Sequence, residues 1–158
     1  MKQTEVIIEC PKGSSYKYDY KPKTKVFKLS KILPAGMTFP FDFGFIPDTR
    51  GEDGDPLDII VISEVCSFTG CAMDCRIIGA ITAEQTERDG RTVRNDRFLG
   101  IPLASQMFGP ITDISQLPHS ILDQLEAFFK NYNEQAGKQF KVLERLDAGK
   151  AGRLIKNG

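Results

Sequence analysis

The chain has 158 residues, with 21 Lys and Arg against 21 Asp and Glu and a formal net charge of zero. That length supports one domain over residues 1–158 with a sizeable core, and the balanced charge excludes a global attraction to nucleic acid or anionic membrane, so any electrostatic function is local. No apolar run is long enough to span a bilayer, and the opening Met1-Lys2-Gln3-Thr4-Glu5 lacks the basic start and apolar body of a signal peptide, so a cytoplasmic location is expected.

Glu5 to Cys10 alternates weakly around Val6, Ile7 and Ile8 and reads as a first strand, stopped by Pro11-Lys12-Gly13 with Glu9 near its end. Tyr16-Lys17-Tyr18-Asp19-Tyr20 alternates aromatic and charged residues, the pattern of a half-buried strand, and Val26-Phe27-Lys28-Leu29 follows closely enough to form a hairpin with it. Taken singly, Lys17, Asp19 and Lys31 read as a solvated polar face. Phe39-Pro40-Phe41-Asp42-Phe43-Gly44-Phe45-Ile46-Pro47 is too irregular for a helix and too aromatic for a plain loop, and is expected to pack as an aromatic wall.

Glu52-Asp53-Gly54-Asp55-Pro56-Leu57-Asp58 then runs straight into Ile59-Ile60-Val61-Ile62. In extended chain Asp53 and Asp55 share a face and Asp58 has the opposite parity, so all three converge only if the backbone bends. Gly54 and Pro56 supply that bend. A self-repelling carboxylate cluster suits a hard divalent cation such as Mg²⁺; an acidic solvated turn is the competing reading, because turns are rich in Asp and Gly. An EF-hand is excluded, since that loop needs an oxygen ligand where Leu57 stands, then Gly, and a twelfth-position Glu.

Strands are expected at Leu57 to Ser63 and Cys75 to Ile81, a polar hairpin tip at Thr82 to Asn95, and a closing strand at Arg97 to Pro102. Five or six short strands without intervening helices point to a small barrel. Ile121, Leu122, Leu125, Phe128, Phe129 and Tyr132 form one apolar helical stripe, read as core packed on that barrel, with Tyr132 the member whose hydroxyl reaches outward. The whole remainder of the chain is read as helical: Gly137 is placed to end the first helix, and a second amphipathic segment is expected from Ala148 to Ile155, after Val142-Leu143-Glu144. Cys10, Cys66, Cys71 and Cys75 lack paired C-x-x-C spacing and read as reduced, mostly buried thiols. The single histidine, His119, beside Pro118, reads as a structural residue at a helix start.

The acidic loop, standing as Asp53-Gly54-Asp55-Pro56-Leu57-Asp58, resembles the D-x-D-P-x-D signature of the soluble family I inorganic pyrophosphatases, and the likeness extends in register over nearly the whole chain. What the resemblance implies is a mainly β fold with α, an OB-like five-stranded β-barrel flanked by C-terminal helices, hydrolysing inorganic pyrophosphate with Mg²⁺ as a homo-oligomer, a hexamer before a dimer or trimer. Carried over by position, Asp55 is the general base, Asp53 and Asp58 are Mg²⁺ ligands, and Glu9 supports the metal site through water. Lys17, Lys31, Arg97 and Tyr132 are the substrate-binding residues.

The chain departs from the family elsewhere. Phe39 and Phe43 replace tyrosines, Asp19 replaces a glutamate, Gln85 and Thr86 stand at an acidic pair, Asn95 stands at a metal-binding aspartate, and Asn133 replaces a phosphate-binding lysine. Glu84, Glu87 or Asp96 could replace the lost ligand if the segment shifts by a residue, Asp96 being the nearest. Two alternatives follow from these departures. One is a degenerate paralogue that binds pyrophosphate or a nucleotide phosphate without turnover, and the other is a hydrolase for another phosphoanhydride.

Overall fold

A computed structural model describes residues 3–157. Strands β1 (Gln3–Cys10), β4 (Asp42–Ile46), β5 (Leu57–Val61), β6 (Ala72–Thr86) and β8 (Arg97–Pro102) hydrogen-bond in the cyclic order β1-β4-β5-β8-β6-β1, so five strands close into an uneven barrel. Only the β5–β8 pair is parallel. Off this ring, β7 (Thr92–Arg94) and β9 (Gln139–Asp147) both pair with the long β6, and β2 (Tyr16–Lys21) and β3 (Val26–Ile32) form a separate hairpin. Helices α1 (His119–Gln135) and α2 (Ala148–Asn157) complete the domain, with a short 3-10 turn at Ile114–Gln116.

The unbroken apolar run after the acidic loop has a direct cause: β5 is covered on both faces. Ile59 and Val61 join Phe98, Val6, Ile8 and Leu146 in a cluster that packs on Ala151 and Leu154 of α2. Ile60 and Ile62 point the other way, toward Leu99, Ile101, Phe43 and the α1 residues Leu122, Leu125 and Phe129. Each apolar side chain buried this way contributes about 1.5–3 kcal/mol.

Three sequence expectations are corrected. The aromatic segment is not wholly irregular, because Asp42–Ile46 is a strand buried at every position and paired with β1 and β5. The polar tip is shorter than expected: β6 continues to Thr86 and pairs with β7, leaving a turn around Asp89 and Gly90. Val142-Leu143-Glu144 lies inside the nine-residue strand β9. Of the four free cysteines, Cys10 and Cys75 are buried, Cys71 is half-buried and Cys66 is exposed, so burial covers only half of the expected set. Burial pushes the buried thiols up, to about 11 for Cys10 and about 12 for Cys75. Among the described residues no helix is long and apolar enough to cross a membrane.

Candidate active site

A cleft of about 480 Å³ opens where the acidic loop, the β2–β3 hairpin, the start of β8 and the end of α1 meet. Its shape begins with the loop. Asp53 accepts a hydrogen bond from the Asp55 amide at 3.0 Å, the Gly51 amide donates to the Asp55 carbonyl at 2.8 Å, and Gly54 sits at φ +88°, a left-handed conformation that glycine adopts without a steric penalty. This tight turn sets Asp53 and Asp55 at the mouth of β5, and both line the cleft with Asp58.

Asp58 arrives by strand parity. Leu57 and Ile59 face the α2 side, so Asp58 faces the α1 side, beside Arg97, its register partner on β8. The Arg97 guanidinium reaches Asp58 at 3.0 Å and donates to the Asn95 carbonyl at 3.0 Å. It is only 4% exposed and lies 4.7 Å over the Phe129 ring, with Phe140 and Phe43 also close, and its Nε has no hydrogen-bond partner among the described residues. Burial pushes the Asp58 carboxyl up to about 6 against the opposing pull of Arg97 and Lys17, and burial also raises Asp53. Two carboxylates held above their ordinary range beside one another are a site that gains from added positive charge.

The opposite wall comes from the β2–β3 hairpin. Lys17 pairs with Asp19 and sits across from Lys31 in the hairpin register. Burial acts to lower the Lys17 pKa, but the carboxylates of Glu9 and Asp19 prevail and hold it above the ordinary lysine value. Glu9 is buried, accepts from the Tyr20 amide at 2.9 Å, and is pushed up to about 7, chiefly by burial. Lys31 extends over the Tyr132 ring at 5.5 Å. Tyr132 in turn stacks on Phe128 and lies near Phe39, so the aromatic wall holds it at the cleft edge. Burial raises the Tyr132 hydroxyl.

Of the residues singled out in the sequence, Glu9, Lys17, Lys31, Asp53, Asp55, Asp58, Arg97 and Tyr132 line this one cleft. Asp96 does not. It precedes the inward-facing Arg97 and lies in an adjoining pocket of about 230 Å³, where both of its oxygens are held by Arg94 and one accepts from the Ala83 amide. Glu87 lines the cleft instead, and Glu84 does not. Phe39 and Phe43 are buried ring partners of each other, and Thr86 hydrogen-bonds Thr92 away from the cleft. Asn133 lines the cleft but is only 3% exposed, and its amide donates to the Phe129 carbonyl one turn back in α1.

In place of the acidic pair that the resemblance implies, the structure has two amides anchored to the Glu87 carboxylate. Asn95 donates to Gln85 at 2.9 Å, and Gln85 donates to Glu87 at 2.9 Å. Among the described residues no three carboxylates, thiols or imidazoles converge as a ready-made metal cage. Among the cleft residues that the sequence pattern does not single out is Lys138, which pairs with Glu87 at 3.5 Å. Its only sequence signal is its place directly after the helix-ending Gly137.

A small closed barrel with an acidic turn and five cationic side chains, Lys17, Lys21, Lys31, Arg97 and Lys138, lining one cleft is the framework of a phosphate-handling hydrolase. The comparisons make the class specific. The Inorganic pyrophosphatase family profile matches residues 6–158, and the chain belongs to that family. The inorganic pyrophosphatase of Halalkalibacterium halodurans is 34% identical over 155 residues, covering 98% of this chain and 91% of the relative. That of Nanoarchaeum equitans is 36% identical over 152 residues, covering 94% and 91%. Among solved structures, the inorganic pyrophosphatase of Thermus thermophilus superposes with a TM-score of 0.89 at 30% identity, covering 98% of this chain and 87% of that one. The Coxiella burnetii inorganic pyrophosphatase gives 0.91 at 27% identity, covering 99% and 92%.

Proposed function

We propose that this protein hydrolyses inorganic pyrophosphate to two phosphates in a Mg²⁺-dependent reaction with Asp55 as the proton acceptor. The observation that carries this reading is the meeting of Asp53, Asp55 and Asp58 with Lys17, Lys31 and Arg97 in one cleft. Pyrophosphate is a small tetra-anion, and such a mixed wall suits it when cations screen the carboxylates from the substrate.

The donor set fits Mg²⁺. Asp53 and Asp58 offer hard oxygen ligands on the cleft wall, the donor type that suits an ion taking one or two carboxylates and keeping several waters. When bound, the metal lowers the pKa of a coordinated water and neutralises phosphate charge. The chain's own residues do the rest. Asp55, on the turn pinned by Asp53, accepts a proton as the water oxygen bonds to one phosphorus. The bridging P–O bond breaks, and the bridging oxygen leaves with the second phosphate. Lys17 and Lys31 hold phosphate oxygens through ammonium groups, and Tyr132 donates its hydroxyl. Arg97, enclosed by rings and paired to Asp58, acts chiefly by fixing that carboxylate.

A second reading draws on one observation, the neutral Gln85–Asn95 pair in the cleft wall. With fewer carboxylates the site would bind pyrophosphate without turning it over. Phosphate release measured from pyrophosphate with Mg²⁺, Mn²⁺ or Zn²⁺ separates the two, because tight calorimetric binding without turnover leaves only the second. Homo-oligomerisation and a cytoplasmic setting belong to the same proposal. Exposed Val65 and Met107 lie on loops tied together by Glu64, which accepts from the Ser105 hydroxyl and the Met107 amide, and they offer apolar surface for a second copy. Sedimentation that finds only monomer at micromolar concentration rules the oligomer out.

A further inference from the structure

Lys138, a cation of the cleft, has no part in the reaction as proposed. Lys138 follows the end of α1, where the Asn133 carbonyl accepts from the Ala136 amide at 3.0 Å and the Lys138 amide at 2.8 Å. Gly137 takes φ +76° between them, the left-handed turn by which helices commonly end. Arg88 braces the same turn from outside, donating to the Ala136 carbonyl at 2.8 Å. The chain therefore reverses into β9 at a fixed point and sends the Lys138 side chain into the cleft.

The amine is aimed as well as delivered. Glu87 lies 3.5 Å from Lys138 Nζ, and its other oxygen accepts from Gln85, which is 7% exposed and accepts in turn from Asn95. A 3.5 Å ion pair is longer than a tight charge-assisted hydrogen bond, and an ammonium carries three donors, so the amine keeps donors for an anion. Its neighbour across the cleft is Lys31, whose amine is held below the ordinary lysine value first by burial and then by the charges of Lys138 and Lys17. Two ammonium groups that repel each other across a cleft are brought to rest by an anion between them. Asn133 also lines the cleft, but its amide carries no charge and one of its N–H groups is held by the Phe129 carbonyl.

We propose that Lys138 contacts the substrate phosphate, facing Lys31 from the α1–β9 turn, with Glu87 as its positioning residue through the Gln85–Asn95 network. This assignment rests on the pyrophosphate reading above. In this chain a lysine delivered by the helix-ending turn supplies the positive charge that α1 itself does not present at Asn133.

The test compares Lys138→Ala, Lys138→Arg and the charge control Lys141→Ala, an exposed β9 lysine outside the cleft. Calorimetry with Mg-imidodiphosphate and steady-state hydrolysis of Mg-pyrophosphate give the two readouts. Loss of one charge-assisted hydrogen bond predicts binding weaker by about 10–100-fold in Lys138→Ala, with KM raised alongside, partial recovery in Lys138→Arg, and Lys141→Ala within about twofold of the parent. Glu87→Gln should move KM in the same direction by a smaller factor. If the parent hydrolyses pyrophosphate and Lys138→Ala binds imidodiphosphate as well as Lys141→Ala does, Lys138 is only a partner for Glu87 and the assignment falls alone. A parent that neither binds nor hydrolyses these ligands overturns the pyrophosphate reading and this assignment together.

Discussion

Arg97 and Asp58 are register partners on the parallel strands β8 and β5, and their side chains meet at 3.0 Å in the floor of the cleft. The acidic site is thus fastened to the aromatic core, because the same guanidinium lies over Phe129. Removing one member of such a pair leaves the other charge uncompensated, at a cost of about 3–5 kcal/mol. Arg97→Met is expected to lower the melting temperature by roughly 6–20 °C in a chain of this size. Adding Asp58→Asn should recover part of that loss. Thermal unfolding of the two variants and their combination forms the cycle, and purely additive losses would show that the pair is not coupled.

Glu9 gives a pH prediction for the metal-free protein. Its folded pKa, about 7, lies above its ordinary value of 4.5, chiefly through burial and despite Lys17 nearby. The folded state therefore holds the proton more tightly than the unfolded chain does, and stability declines as pH rises from about 4.5 through about 7. Glu9→Gln removes the charge while its carbonyl can still accept from the Tyr20 amide. The variant should melt higher than the parent at pH 8 and at nearly the same temperature at pH 5. Equal melting temperatures at both values would contradict the shift.

Asn95→Asp tests the Gln85–Asn95 pair. Asn95 donates to the Gln85 side-chain oxygen, and a carboxylate in its place sets two acceptors 2.9 Å apart. The cost is about 1–3 kcal/mol of stability without metal. Added Mg²⁺ should restore more stability to this variant than to the parent, which thermal melts with and without the ion will show. A melting temperature unchanged in metal-free buffer would mean that the Asn95–Gln85 bond contributes nothing.

Asp53→Asn addresses the metal itself. Calorimetric titration with Mg²⁺ in the absence of pyrophosphate should show affinity lower by at least about tenfold, while the turn persists because an amide oxygen can still accept from the Asp55 backbone. Unaltered Mg²⁺ affinity would remove Asp53 from the ligand set.

The acidic turn, the β2–β3 hairpin and the small barrel were legible in the sequence because each rests on short-range pattern, turn residues at fixed offsets and alternation. Pattern alone read Lys17 and Lys31 as a solvated face and left the acidic loop open between a metal site and an ordinary turn, and only the family resemblance gave them site roles. Strand β4 escaped because every one of its residues is buried and alternation has nothing to contrast. Strand β9 does alternate, with Phe140, Val142 and Leu146 turned inward, but its pairing with β6 shifts register between Thr82 and Ala83, and only the partner strand reveals that. Whether Asp96 enters the cleft was a question of parity. One residue decides the face a side chain takes, and the buried Arg97 fixed it. Lys138 enters the cleft through helix-end geometry between α1 and β9, which periodicity does not report.

The central claim is that the Asp53 to Asp58 turn builds a working pyrophosphate-hydrolysing site. Its most direct test is the rate of phosphate release from Mg-pyrophosphate by the parent and by Asp55→Asn. The parent should turn over pyrophosphate and the variant should lose about two to three orders of magnitude in rate, with the melting temperature retained because Asp55 is exposed and its backbone makes the turn contacts. Equal rates in the two proteins, or no phosphate release by the parent at any accessible pH with Mg²⁺, Mn²⁺ or Zn²⁺, would contradict it.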